Sequence, residues 1–297
     1  ESFIVSISTD LKIGLKEKLL ADFYIHKGLF AHANHIIQDA HTMIEKKSLK
    51  NAAFYRDVYD LGITYYDINS RNNRTKDFDI NQSIYSFTAY TIIEVLKSAC
   101  IVNTIQRVME FKDQQFLLPA ILDLLPNSAF LQIPIVRIYY NTYLFVSAEN
   151  EDAFDSFLKD IQQNEDLFSL QDLNNLYRTA INFCIKKSNQ NIMYYTKQTF
   201  ELYLYTIKKN ILIEDNEINR FAFTNTVSVG IKLKEFEKVN SFMKDFSSLI
   251  SKEYRKNTLD FNSAKILYAT SQSDKALKIL LTNEFKDTIW NLNAKFI

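Results

Sequence analysis

The sequence predicts an all-α protein assembled from about seven helical hairpins, and three observations lead there. Glycine and proline are scarce, four and three in 297 residues, where an ordinary globular chain uses roughly 7% and 5%. Sheet proteins with many tight turns, and parallel sheets with phosphate loops, consume more of both. Apolar residues also recur at helical spacing along most of the chain. Finally, second helices of pairs begin near Glu151, Asn191, Glu235 and Asp274, at intervals of about 40 residues, within the range of two-helix repeats.

The first hairpin is read from Leu15, Leu19, Leu20 and Phe23 on one helix and Ala33, Ile36, Ile37, Ala40 and Ile44 on the next. At 100° per residue each set forms one stripe. Gly28 lies between them, and glycine takes φ > 0 after a helix end without steric cost, so the chain reverses there. The second hairpin pairs the helix from Asn51, with Phe54, Val58, Leu61 and Tyr65 on one side, with a helix from Asp79. The polar stretch between them predicts a mobile loop over 69–79. A third pair is expected over Lys97–Lys112 and Gln114–Leu125, the latter interrupted by Pro119 and ended by Pro126.

Four further pairs follow: Ile133–Ala148 with Glu151–Gln163, Leu170–Lys187 with Asn191–Lys209, Glu214–Lys232 with Glu235–Ile250, and Ser251–Thr270 with Asp274–Leu281. Pro134 suits the first turn of its helix. Glu149, Glu151 and Asp152 gather where negative charge complements a helix N-terminus. Residues 1–10 read as an extended N-terminal lead, and the whole of 1–297 as a single helical-repeat domain.

Hydrophobic residues make up 47% and charged residues 24%, with 35 basic and 35 acidic side chains. A balanced charge supplies no field that would steer the chain to nucleic acid or to anionic lipid, so no direct nucleic-acid binding is expected. No uncharged apolar run approaches the roughly 18 residues of a membrane span, and no secretory signal opens the chain, so membrane insertion is not expected and a cytoplasmic location is. Cys100 and Cys184 sit in apolar helical stretches and read as buried free thiols.

The residues Leu20, Ala21, Tyr24, Gly28, Phe30, Ala33, Ile37 and Ala40, and then Val58, Leu61, Gly62 and Tyr65, resemble the tetratricopeptide repeat. Looser matches follow at Phe236, Val239 and Met243, and at Ala276 and Leu280. The period here is nearer 40 than the family's 34, and the family's closing proline is missing from the best-matching units; another helical-hairpin solenoid stays open. The resemblance implies a right-handed α-solenoid whose concave side, lined by the first helix of each pair, holds a peptide or a partner helix. By the family's register the groove-facing positions are Lys18, Asp22, Arg56, Tyr59 and Tyr66, with Tyr177 analogous in the fifth unit.

Searching for chemistry gives no catalytic or cofactor motif. The four glycines are too dispersed for a phosphate loop, and there is no Gly-x-Ser-x-Gly elbow, no Cys-x-x-Cys pair and no His-Glu-x-x-His helix. All four histidines, His26, His32, His35 and His41, fall in one stretch, but the helical wheel points them apart, so no metal site is expected. The expectation is a non-catalytic protein or peptide scaffold without cofactor. Its alternatives are the sensory or oligomerising region of a larger signalling or transcription-regulating protein, a glycan-binding protein using Trp290, or an enzyme on the same scaffold.

Overall fold

The computed structural model describes residues 15–46, 49–71, 80–106 and 117–282. The chain is all-α, with thirteen α-helices among the described residues, and it divides into two compact units, residues 1–169 and 170–297.

The first unit contains α1 (Leu15–His26), α2 (Phe30–Glu45), α3 (Ala52–Arg71), α4 (Ile80–Gln106), the short α5 (Leu118–Leu124), α6 (Pro134–Ser147) and α7 (Glu151–Gln163). Each of α1, α2 and α3 packs on the helix that follows it, then α4 on α6 and α6 on α7. Four of the five stripe residues on α2 are buried, Ala33, Ile37, Ala40 and Ile44 all at most 1% exposed, while Ile36 at the edge is half-buried. Phe54, Val58 and Leu61 on α3 are buried too. Burying an isoleucine or phenylalanine of this kind stabilises by about 2 kcal/mol. On α1 the stripe is displaced: Ala21 is fully buried and Leu19 is 43% exposed, because α1 meets α2 and α3 along its Ala21 edge, about half a turn from Leu19. In α6 and α7, Phe145 packs edge-to-face on Phe154 and Phe157 at 5.5 and 5.3 Å, an arrangement favoured by the ring quadrupoles.

The second unit contains α8 (Leu170–Ser188), α9 (Met193–Lys208), a two-stranded ribbon β1 (Ile213–Glu214) and β2 (Glu217–Ile218), α10 (Arg220–Lys232), α11 (Phe236–Phe246), α12 (Lys252–Ala269) and α13 (Ser273–Thr282). Here α8 packs on α9, α9 on α10, α10 on both α11 and α12, and α12 on α13.

One turn geometry recurs. After α1, Gly28 sits at φ +73° while Leu29 N–H donates to Tyr24 O at 2.9 Å and Gly28 N–H to Ile25 O at 3.0 Å, the paired closing bonds of a Schellman motif. After α10, Lys234 takes φ +62° with Glu235 N–H on Gly230 O and Lys234 N–H on Ile231 O, both 2.9 Å. After α12, Ser271 takes φ +61° with Gln272 N–H on Leu267 O at 2.8 Å. Glu149 after α6 and Asn191 after α8 are left-handed as well, at φ +53° and +64°. Five hairpins therefore reverse through one left-handed residue, only one of them a glycine. Each non-glycine there costs roughly 1 kcal/mol of backbone strain, which the packing of the two helices offsets.

Several boundaries differ from the sequence-based expectation. The helix expected to begin at Lys97 is the last third of α4, which runs unbroken from Ile80 to Gln106. Pro119 starts α5 instead of interrupting a helix, since a proline in the first turn gives up no intrahelical bond. The segment that would join the expected third pair, residues 107–116, lies outside the described residues. Residues 69–71 of the expected loop belong to α3, with Asn69 buried; residues 72–79, the lead over 1–10 and Trp290 lie outside the described residues. The helix expected from Glu214 begins at Arg220. Before it, Asp215 and Asn216 at φ +51° and +61° form the two-residue turn that suits a hairpin's twist, pairing Ile213 with Ile218 and Glu214 with Glu217. Asn174 of α8 donates to Ile211 O just before this ribbon at 2.8 Å and to Glu214 Oε1 within it at 3.3 Å.

By length and composition α4 contains one stretch, Ile80–Asn103, that could cross a membrane, with an 18-residue window of mean hydropathy 1.2, 39% of which is buried. It carries Glu94 and Lys97 and packs on α3 and α6.

Candidate functional site

Three of the six residues chosen from the sequence meet in one place. An open cleft of about 580 Å³ between α1 and α3 is lined by Lys18, Asp22, Ile25 and His26 from α1 and by Tyr59, Asp60, Ile63, Thr64 and Asp67 from α3. α1 and α3 are the first helices of consecutive hairpins. Their lining residues follow the helical period, at 18, 22, 25 and 26 and at 59, 60, 63 and 67, so each helix turns one continuous face to the cleft. Lys18 Nζ lies 4.0 Å from Asp60, both side chains more than a third exposed; at that exposure the pair contributes little to stability. Tyr59 rests against Phe87 of α4, ring centroids 4.8 Å apart.

The other three go elsewhere. Arg56 binds its neighbour Asp57, Nη2 to Oδ1 at 2.8 Å, and that hydrogen bond raises its pKa above the ordinary value. Tyr66 is 38% exposed on α3 and does not line the cleft. Tyr177 is a correction: it is 0% exposed. On α8 it stands in the centre of the buried series Leu173, Tyr177, Ala180, Cys184, so the register of the first two units does not carry over to the fifth. Sequence reasoning missed Ile25, His26, Asp60, Ile63, Thr64 and Asp67, although continuing the 18, 22 and 59 positions by steps of three and four reaches most of them.

The four histidines separate. His26 lines the cleft, His32 stacks on Tyr24 at 5.5 Å, and His35 and His41 border a second recess of about 680 Å³ among α2, α3 and α4. His35 Nε2 is 3.4 Å from Asp39. Among the described residues no three His, Cys, Asp or Glu side chains are placed to hold a metal ion. In the second unit a smaller recess of about 270 Å³ contains Arg220, whose guanidinium lies 4.2 Å from the Tyr254 ring centroid, a cation–π contact.

Both cysteines are buried, and burial pushes the Cys100 thiol up to about 12, which keeps it out of thiolate chemistry. One lysine is unusual. Lys265 on α12 is mostly buried and donates to Ser228 Oγ of α10; burial lowers its pKa below the ordinary 10.5. Below the lowered value it is charged in both folded and unfolded chains, and its desolvation is a full cost. As pH rises from there toward 10.5 the folded state sheds the proton first, and stability returns. Replacing Lys265 by methionine is expected to stabilise the second unit by about 1 kcal/mol at neutral pH, with the gain shrinking toward pH 10.5. Ser228 stays satisfied because its hydroxyl donates to Thr224 O at 2.6 Å. Urea midpoints of parent and Lys265→Met at pH 7 and pH 10 check this.

No family model, no curated protein and no solved structure matches the chain.

Proposed function

We propose that the hairpins are tetratricopeptide-like repeats, forming a right-handed α-solenoid, and that the protein is a non-catalytic scaffold binding a protein or peptide through the cleft between α1 and α3. One observation carries the reading: Lys18, Asp22 and Tyr59, chosen from the sequence as groove-facing, line the same open cleft between first helices of consecutive hairpins. Such a face suits an extended or helical peptide, because it offers an aromatic body, aliphatic walls and charged rims over several turns. The recurring left-handed hairpin turn supports the repeat reading, since a common closing geometry is what a repeated supersecondary unit requires.

A peptide-display library selected on the full chain tests this. Selected peptides are expected to lose about tenfold in affinity on Tyr59→Ala, the magnitude of an interface aromatic, and to lose affinity on Asp22→Arg, a change at a partly exposed position. A library that yields no binder, or binders indifferent to both substitutions, overturns the reading.

A further inference from the structure

The cleft is charged unequally. Its walls hold Asp22, Asp60 and Asp67 against Lys18, with His26 at one end, in a chain whose formal charge is zero. Lys18 is engaged with Asp60. Among the described residues no ion pair engages Asp22 or Asp67, so the described lining of the cleft holds more negative than positive charge. Tyr59, Ile25 and Ile63 separate them with apolar surface. Beyond Tyr59 that surface continues onto α4, where Phe87, in ring contact with Tyr59, is 47% exposed and Ile84 53%. Ile84 and Phe87 are three positions apart and share a helix face.

Excess negative charge set beside exposed aromatic surface is complementary to one kind of segment. Resting on the partner-binding reading above, we propose that the occupant of the cleft is a cationic amphipathic peptide of a partner protein. A lysine or arginine lies toward Asp22 and Asp67, and a bulky apolar residue next to it lies on the Tyr59–Phe87 shelf. Charge complementarity of this type sets partner choice and association rate more than affinity, and its contribution falls as salt shortens the Debye length from about 10 Å at 0.1 M to about 3 Å at 1 M.

The experiment titrates the full chain against two fluorescein-labelled peptides, one alternating lysine and leucine and the other with glutamate for every lysine. The lysine peptide is expected to bind and the glutamate peptide not. Asp22→Asn combined with Asp67→Asn is expected to weaken the lysine peptide at least tenfold. Lys18→Gln, which frees Asp60, is expected to tighten it a few-fold. Asp245→Asn, an exposed acid on α11, serves as the control for general electrostatics and leaves binding unchanged. The proposal is overturned if both peptides bind alike, if the double variant behaves as the control does, or if free lysine amide competes as well as the peptide, which would make the ligand a small cation. If library binders depend on Tyr59 but carry acidic or neutral residues, the scaffold reading stands and the charge assignment falls; if no binder depends on the cleft, both fall.

Discussion

Gly230→Ala is expected to destabilise the second unit by about 2 kcal/mol net. Gly230 is buried in α10, and a Cβ built there meets Val239 Cγ2 of α11 within contact distance and Phe200 Cε2 of α9 at 2.8 Å. Val239 and Phe200 are themselves 0% and 3% exposed, so neither can swing to solvent. Forcing a methyl into a packed site costs about 1–3 kcal/mol or more, whereas alanine's better helix propensity returns only about 1 kcal/mol. A Val239→Ala partner substitution removes the methyl that obstructs the new Cβ. The two changes are therefore expected to couple by at least about 1 kcal/mol in a double-mutant cycle read from urea unfolding. Additive behaviour would mean that α10 and α11 do not approach as closely as described.

The contrast between Gly28 and Gly230 shows where sequence reading works. Gly28 falls between two apolar stripes, so its role as a helix terminator is legible, and a Cβ there would meet nothing within 4 Å; only its φ favours glycine. Gly230 lies inside an apolar run, and its reason is the close approach of Val239 on the partner helix α11 and of Phe200 on α9, which no local pattern reveals. The other left-handed turns are hidden for a similar reason. Glu149, Lys234 and Ser271 hold positive φ because the paired helices fix the chain on both sides, and no composition rule singles them out; Asn191 is of a type that tolerates it. The start of α7 was legible instead, since Asn150 accepts from Ala153 N–H at 2.9 Å and Glu151 and Asp152 fill the first turn, a local capping arrangement. The acids around Asp215 imitate such a start, yet Asp215 and Asn216 form a hairpin turn whose need for positive φ they also satisfy.

The cleft positions were legible only through the tetratricopeptide resemblance, and helical spacing extends them to their neighbours on α1 and α3. Lys18, Asp22 and Tyr59, groove-facing by the tetratricopeptide resemblance, line one cleft because α1 and α3 each turn a continuous face to it. Arg56 departs because its guanidinium turns sideways to Asp57, a residue that adjacent helical positions do not normally face. Such a local pair follows from rotamer choice and burial, since Asp57 is 7% exposed, and spacing alone does not disclose it.

Tyr177 distinguishes a binding side chain from a core one, and its substitution has the largest expected effect. Tyr177→Ala is expected to destabilise the second unit by about 3–5 kcal/mol, the cost of removing a fully buried aromatic and leaving a cavity. Its ring lies 5.8 Å from that of Tyr205 on α9, so the loss falls on the packing of α8 against α9. Tyr177→Phe keeps the ring and is expected to cost only about 1 kcal/mol, the net worth of a hydroxyl's hydrogen bond. Urea unfolding of the three proteins, with hydrogen exchange to localise the loss to residues 170–282, reads both effects. The site proposed at Tyr59 and Asp22 belongs to the first unit, so at temperatures where Tyr177→Ala remains folded its affinity for a selected peptide is expected to match the parent's. A Tyr177→Ala protein of near-parental stability that had lost peptide binding would instead place Tyr177 at a ligand surface and restore the register that its burial contradicts.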